Sequence, residues 1–90
     1  MMKLEIKLLP PYTKSGRPED HTLEMETQAI SLRDLAFFLS REWEDRLNYS
    51  LIHDEKLVSA EFAVNDKLVS LDHQVKDGDR ITVLPYVGGG

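Results

Sequence analysis

A single apolar stripe with helical spacing, set among segments that alternate like strands, most constrains how this 90-residue chain folds. The stripe follows Ser31-Leu-Arg-Asp34, which has the form of a helix-capping box. Its apolar members recur on one helical face: Leu32, Leu35, Ala36, Leu39 and Trp43. We therefore predict one helix over residues 32–46. A single amphipathic helix must bury its stripe against a sheet, because a sheet face is the only apolar surface available to it.

A hairpin is predicted before this helix. Residues 3–8 alternate strictly between apolar and charged side chains, which is typical of a half-buried strand. Pro10 and Pro11 end the strand, because proline cannot donate a hydrogen bond to a ladder. Residues 13–21 form a polar turn region. Residues 23–27 alternate again, and we expect them to pair antiparallel with the first strand.

After the helix, residues 51–58 are predicted to be a loop, since a charged stretch interrupts their apolar residues. Residues 61–64 and 67–70 flank Asn65-Asp66 as a short hairpin, and Asp77-Gly78-Asp79 is a tight turn into the last strand. This order predicts an α+β fold of the β-grasp type, with a mixed sheet covered on one face by one main helix. The helical crossover should place the last strand parallel to the first and beside it. The predicted domain covers residues 1–87.

The chain continues into a glycine tail, Gly88-Gly89-Gly90. Glycine loses more backbone entropy on ordering than other residues, so residues 88–90 are expected to be flexible. Such a tail is slim enough for a channel too narrow for side chains, and it presents a carboxylate. Fully extended, it reaches roughly 10 Å beyond Val87. An enzyme that activates a carboxylate with a nucleotide needs a substrate of this shape; the alternative is a flexible terminus without chemical use.

Composition excludes several kinds of function. The absence of cysteine excludes disulfides, thiolate metal ligands and a cysteine nucleophile, so any sulfur chemistry must use sulfur from elsewhere. A net charge of −5 argues against nucleic acid as a partner and favours a basic protein. The longest apolar run, residues 35–39, is far too short to span a membrane, and the first residues do not resemble a signal peptide. We expect a cytoplasmic carrier or binding domain without a metal site, and interpret Asp77 and Asp79 as turn residues.

Three segments, in this order, carry a family resemblance: Ala63-Val-Asn-Asp-Lys-Leu-Val-Ser-Leu-Asp-His73, Val75-x-Asp-Gly-Asp79 and Leu84-Pro-Tyr-Val-Gly-Gly-Gly90. Together they resemble the small subunit of molybdopterin synthase and, less closely, the sulfur carrier of thiamine thiazole synthesis. The resemblance is close over residues 60–90. Three departures are visible: Tyr86 replaces a second proline, Gly88 occupies a variable position, and Leu9 and Leu84 stand where molybdopterin subunits often carry phenylalanine.

The resemblance implies a ubiquitin-like β-grasp protein that carries sulfur and is not itself an enzyme. It implies that an E1-like enzyme uses ATP to adenylate the Gly90 carboxylate, and that sulfur from a donor acting through this enzyme then gives a thiocarboxylate. The larger subunit of molybdopterin synthase would bind the carrier and supply the catalytic groups. No cofactor is expected to stay bound to the chain.

Side-chain parity predicts where partners dock. If the residues of the first and last strands alternate between faces, Leu9 and Leu84 point away from the helix, and Leu68 joins them if Val69 points inward. An apolar cluster on an open sheet face is typical of a partner surface. We predict that partners bind Leu9, Leu68, Leu84 and the segment Pro85, Tyr86 and Val87 that leads into the tail.

Three other functions fit the same sequence. The first is a ubiquitin-like modifier whose C-terminus is joined to lysines of other proteins. The second is a sulfur carrier for thiamine or another thiolated product. The third is a β-grasp interaction module whose glycines have no chemical role.

Overall fold

The computed structural model describes residues 1–49, 51–53, 57–58 and 60–85. Its elements follow the chain in this order: β1 Met2–Leu8, β2 Glu19–Met25, β3 Ala29–Ser31, α1 Leu32–Glu42, β4 Ile52–His53, β5 Leu57–Val58, β6 Ala60–Val64, β7 Lys67–Val69, β8 Gln74–Lys76 and β9 Arg80–Pro85. No helix in these described ranges is long and apolar enough to cross a membrane.

Five strands form the main sheet in the order β2-β1-β9-β6-β7. β1 and β2 pair antiparallel, as the alternation predicts. β9 lies between β1, to which it is parallel, and β6, to which it is antiparallel. The predicted position of the last strand is therefore confirmed. Two short sheets, β3 with β8 and β4 with β5, complete the fold.

Helix α1 covers one face of this sheet. Its buried side chains are Leu32, Leu35, Ala36 and Leu39, and they share one core with the inward residues of β1, β6 and β9. The predicted N-terminus is confirmed: the Ser31 hydroxyl caps the helix by accepting a hydrogen bond from the Asp34 amide at 3.1 Å. Such a cap satisfies an amide that has no partner inside the helix.

The predicted helix end at Arg46 is wrong. The helix ends at Glu42, and residues 43–46 form a turn. The Trp43 carbonyl accepts hydrogen bonds from the amides of both Arg46 (2.9 Å) and Leu47 (3.0 Å). This turn brings Leu47 into a bridge with Thr13. Because Trp43 is buried at the helical spacing, periodicity alone extends the helix past its true end.

Two strand predictions also need correction. Residues 51–58 were expected to be a loop, yet β4 and β5 pair antiparallel there. The second strand begins at Glu19 rather than at residue 23, so residues 19–21 of the predicted turn region belong to β2. In both cases polar residues interrupt the apolar alternation by which a strand is recognised in a sequence. The backbone still forms the strand, because the hydrogen bonds of a ladder do not depend on side-chain polarity.

The connection between β1 and β2, residues 9–18, packs onto the segment after the helix. Tyr12 and Thr13 are 5% and 2% exposed. The Asn48 amide donates to the Tyr12 carbonyl at 2.8 Å, and the Asn48 side chain donates to the Pro11 carbonyl at 3.1 Å. The connection is thus held by contacts with residues distant in sequence.

The β6–β7 connection is the predicted two-residue turn. Asn65 and Asp66 both have positive φ angles, 51° and 72°. Positive φ at both central residues is the geometry of a type I′ turn, which matches the natural twist of a hairpin. Here the local backbone, rather than distant packing, sets the register of the two strands.

Candidate docking face and C-terminal tail

β9 leads into the tail and is paired along both of its edges. On one side its register with β1 runs from Glu5 opposite Arg80 to Leu8 opposite Val83. On the other side its register with β6 runs as far as Ala60 opposite Pro85. The backbone is therefore fixed by neighbours up to Pro85, and the tail begins from an anchored strand.

The Asp77-Gly78-Asp79 turn anchors the beginning of β9. The Asp77 carboxylate accepts a hydrogen bond from the Lys3 amide at 2.7 Å, and the Gly78 amide donates to the Lys3 carbonyl at 2.8 Å. Gly78 has a φ of 88°, which favours glycine. The Asp79 carboxylate accepts from the Lys76 amide at 2.9 Å. Both carboxylates thus hold backbone amides, as expected of turn residues.

Asn65 ties this turn to the β6–β7 hairpin. Its side-chain amide donates to the Asp79 carboxylate at 3.0 Å, and its side-chain oxygen accepts from the Arg80 amide at the same distance. Its backbone amide donates to the Arg80 carbonyl at 2.8 Å. The sequence predicts Asn65 as a turn residue but gives no sign of this second role.

Three leucines lie near the end of β9 and form what we call the tail-proximal patch: Leu9, Leu68 and Leu84. Leu68 is 66% exposed, whereas Leu9 and Leu84 are half-buried. Because Val83 is fully buried, its neighbour Leu84 lies on the face of the sheet opposite α1, here called the outer face. The Leu9 amide donates to the Val83 carbonyl at 3.3 Å, which places Leu9 beside β9.

Val69 packs against the core. Because neighbouring residues of a strand point to opposite faces, Leu68 lies on the outer face. Leu68 lies opposite Ala63, and Ala63 lies opposite Thr82 of β9. The three leucines therefore come from β7, from β9 and from the first position after β1. Partner binding by these residues stays a prediction, as does binding by Pro85, which is half-buried. Tyr86, Val87, Gly88, Gly89 and Gly90 lie outside the described residues.

The part of the outer face away from the tail balances its own charges. Opposite charges are neighbours there in three cases: Lys3 with Glu24, Lys7 with Asp20, and Glu5 with Arg80. In the last pair the Arg80 Nε lies 3.4 Å from a Glu5 carboxylate oxygen. Cross-strand neighbours of opposite charge stabilise a sheet modestly.

Glu61 is the residue of this face that the sequence analysis missed. It lies directly opposite Leu84 and is half-buried. Its position on the face could have been found from the alternation in residues 60–64, since Phe62 is core and its neighbours point outward. The alternation gives no information about its cross-strand neighbour, because register depends on the tertiary fold.

Titratable groups elsewhere have structural contacts. Glu19 accepts hydrogen bonds from the Ser15 hydroxyl at 2.7 Å and from the His21 ring at 3.0 Å. The Ser15 bond, followed by the His21 bond, lowers the pKa of Glu19. Burial raises the pKa of Tyr12. Among the described residues, no group of three or more His, Asp or Glu side chains is arranged to hold a metal ion.

Comparisons with known proteins agree with this architecture. The sequence model of the ThiS family matches residues 18–90. A chain of the complex of subunits 1 and 2 of the molybdopterin-converting factor from Helicobacter pylori 26695 is 28% identical, with a TM-score of 0.58, and the match covers 99% of this chain and all of that one. No curated protein sequence matches significantly.

Other solved structures extend the comparison. The putative molybdopterin converting factor subunit 1 from Pyrococcus furiosus is 26% identical over 97% of this chain and all of that one, with a TM-score of 0.66. The thiamine biosynthesis protein ThiS from Geobacter metallireducens is 18% identical over 99% of this chain and all of that one, with a TM-score of 0.54, and shows the shared fold alone. The predicted ubiquitin-like β-grasp fold and family resemblance are confirmed.

Proposed function

This chain belongs to the ThiS family, and we propose that it is the sulfur carrier of molybdopterin biosynthesis, acting through a thiocarboxylate at Gly90. The family gives the carrier role its general support. The pathway is favoured by the two molybdopterin-converting factor chains, which are 28% and 26% identical over nearly all of this sequence. The ThiS structure, at 18% identity, supports only the fold.

One structural observation carries the proposal: the central strand β9, which precedes the glycines in the chain, is paired with β1 as far as Val83 and with β6 as far as Pro85. A partner can direct a carboxylate into a channel more easily if the segment that bears it starts from a fixed point. Attachment to an ordered strand limits the orientations that the carboxylate can adopt, and the positioning of reacting groups contributes strongly to rate. No catalytic group is required from the carrier.

The proposed chemistry has three steps. The Gly90 carboxylate oxygen attacks the α-phosphorus of ATP, forming an acyl-adenylate and releasing pyrophosphate. A persulfide donor attacks the acyl carbon and displaces AMP, giving an acyl disulfide. A thiol then attacks the donor-side sulfur, so that a thiocarboxylate stays on Gly90 and a disulfide leaves with the donor. All this sulfur is external, since the chain contains no cysteine.

Two partners follow from this chemistry. We propose an E1-like adenylating enzyme, which binds ATP and takes the tail, and a molybdopterin synthase large subunit, which receives the sulfur. The Helicobacter pylori structure, a complex of subunits 1 and 2, supports the second partner. Both partners are proposed to cover the tail-proximal patch, because whichever protein takes the tail must approach beside Leu84.

The test is a change in tail length. Deleting Gly90 moves the carboxylate back by about 3.3 Å, and adding an alanine after Gly90 moves it forward and introduces a side chain. Since a displacement of 1 Å can lower a rate about 100-fold, both variants should lose nearly all ATP–pyrophosphate exchange with the adenylating enzyme from the same organism. Thermal unfolding should be unchanged, because both changes lie beyond β9.

Equal exchange by the unchanged chain and both variants would contradict the proposal and favour the interaction module. A second measurement identifies the product. The intact mass of protein from its native cells should include a form heavier by about 16 Da, the difference between sulfur and oxygen. A population joined to lysines of other proteins, without that form, would instead favour the modifier.

A further inference from the structure

Glu61 places a carboxylate next to two members of the tail-proximal patch. It lies directly opposite Leu84 on β9. Two residues further along the same face, Ala63 lies opposite Leu68. Glu61, Leu68 and Ala60 also line one shallow depression at this edge of the sheet. The apolar area around the base of the tail is therefore interrupted by one half-buried anionic side chain.

This charge differs from the others on the outer face. The charged residues near β2 have neighbours of opposite sign, and Glu5 forms an ion pair with Arg80. In contrast, no described residue forms a hydrogen bond or an ion pair with the Glu61 carboxylate. Its closest cross-strand neighbour is a leucine. In the free protein this half-buried side chain is partly open to solvent.

Docking would remove that solvent. A partner that covers the leucines with a purely apolar surface would leave the carboxylate desolvated and without a counter-charge, which is strongly unfavourable. A partner that adds a cation would convert the same group into a favourable and selective contact. Arginine fits especially well, because its guanidinium binds carboxylates with two parallel hydrogen bonds and is weakly hydrated.

The position of Glu61 indicates where that cation lies. Its neighbour Ala60 is opposite Pro85, the last described residue of β9. The carboxylate is thus at the base of the tail, and a group that reaches it must be at the entrance of the channel rather than inside it. At the entrance the contact forms only when the tail is aligned with the channel.

We propose that Glu61 is a specificity-determining residue of the docking face, and that it pairs with an arginine or lysine at the channel entrance of the adenylating enzyme. The inference rests on the proposed function, which requires that enzyme to take the tail first. It adds that the recognised surface is a group of leucines with one fixed negative charge, so enzymes with an apolar or acidic entrance are rejected.

The experiment compares Glu61→Gln with Glu24→Gln. Both variants remove one carboxylate from the outer face. Glu24, however, lies on β2, opposite Lys3 of β1, and two strands separate β2 from the strand that carries Glu61. Affinity for the adenylating enzyme of the same organism is measured by calorimetry at low and high salt, with ATP–pyrophosphate exchange in parallel. Thermal unfolding of each variant checks that the fold is intact.

We expect Glu61→Gln to weaken binding roughly 10- to 100-fold, the range for losing one charged hydrogen bond. Glu24→Gln should change affinity less than about 3-fold. The affinity of the unchanged chain should fall more steeply with salt than that of Glu61→Gln. In addition, changing the partner's entrance cation to glutamate should restore binding of Glu61→Lys.

Two failures can be told apart. Equal or tighter binding by Glu61→Gln, with normal exchange by the unchanged chain, would overturn the contact and leave the carrier function standing. A lack of exchange with the unchanged chain would overturn the proposed function and this contact together. Equal losses in Glu61→Gln and Glu24→Gln would also overturn the contact, since they would indicate a general effect of charge.

Discussion

The two hairpins that flank β9 each bring one leucine of the tail-proximal patch beside it, but they are stabilised in different ways. Leu9 lies in the long β1–β2 connection, which is held by buried Tyr12 and by bonds from Asn48, far along the chain. Leu68 follows a two-residue turn whose backbone angles determine the pairing of β6 with β7. One leucine therefore depends on tertiary packing and the other on local conformation.

This difference has a consequence for the docking face. Loss of the packing around Tyr12 should disturb Leu9 and the core together, because the connection and the segment after α1 share that packing. Loss of the turn geometry should disturb the β6–β7 edge, while leaving α1 and β1 in place. The first hairpin is thus coupled to the stability of the whole domain, whereas the second is coupled mainly to the start of β9 through the bonds of Asn65 with Asp79 and Arg80.

The largest expected effect tests the packing of the first hairpin. Replacing Tyr12 with alanine should lower the free energy of unfolding by about 3–5 kcal/mol, the usual cost of removing a large buried aromatic side chain. The matched control is Tyr49→Ala, because Tyr49 is 58% exposed, and it should change stability by less than about 0.5 kcal/mol. Chemical denaturation measures both. Equal effects would show that burial of Tyr12 does not hold the connection.

A smaller effect tests the second hairpin. Asn65→Ala removes the side-chain bonds to Arg80 and Asp79 and forces alanine into a positive φ, so unfolding should become easier by about 2 kcal/mol. Asn65→Gly removes the same bonds but accepts the φ, and should cost only about 1 kcal/mol. If both variants lose the same stability, side-chain bonding rather than backbone conformation holds this turn.

The smallest effect is a pH dependence in the first hairpin. The hydrogen bond from Ser15, followed by the contact with His21, lowers the pKa of Glu19 in the folded state. A lowered folded pKa gives stability that is present above the unfolded pKa and is lost as the pH falls through the folded value. Glu19→Gln should therefore flatten the fall in stability below about pH 4.5, the ordinary pKa of a glutamate side chain. Glu24→Gln serves as the control, and denaturation curves at a series of pH values provide the comparison.

Local patterns predicted those parts of the fold that local contacts determine. The alternation in residues 3–8 gave β1, Ser31 and Asp34 gave the start of α1, and Asn65-Asp66 gave the second turn. The order of these elements was enough to place β9 beside β1. The strand β1, the start of α1 and the second turn each depend on residues that are close in sequence, so their signal is contained in short windows, whereas the placement of β9 follows from the order of the elements along the whole chain.

Some of the errors have the opposite origin. The end of α1 depends on a turn at Trp43 that lets Leu47 reach Thr13, which is distant in sequence. The pairing of β4 with β5 is local, and it was missed because a charged stretch lies between the two strands. Outward parity predicted the positions of Leu68 and Leu84, but it did not predict that Leu84 is half-buried or that Glu61 lies opposite it. Cross-strand neighbours are set by register between distant segments, which no single window of sequence contains.

The placement of β9 also has a mechanical meaning. A partner that draws the tail into a channel exerts a pulling force along the strand, and this force is transmitted to the hydrogen bonds with β1 and β6 at the same time. A ladder loaded along its length shears as a group, and β9 has such a ladder on both sides, whereas a strand at the edge of a sheet has only one. The domain can therefore bear tension at its tail without unravelling from that end.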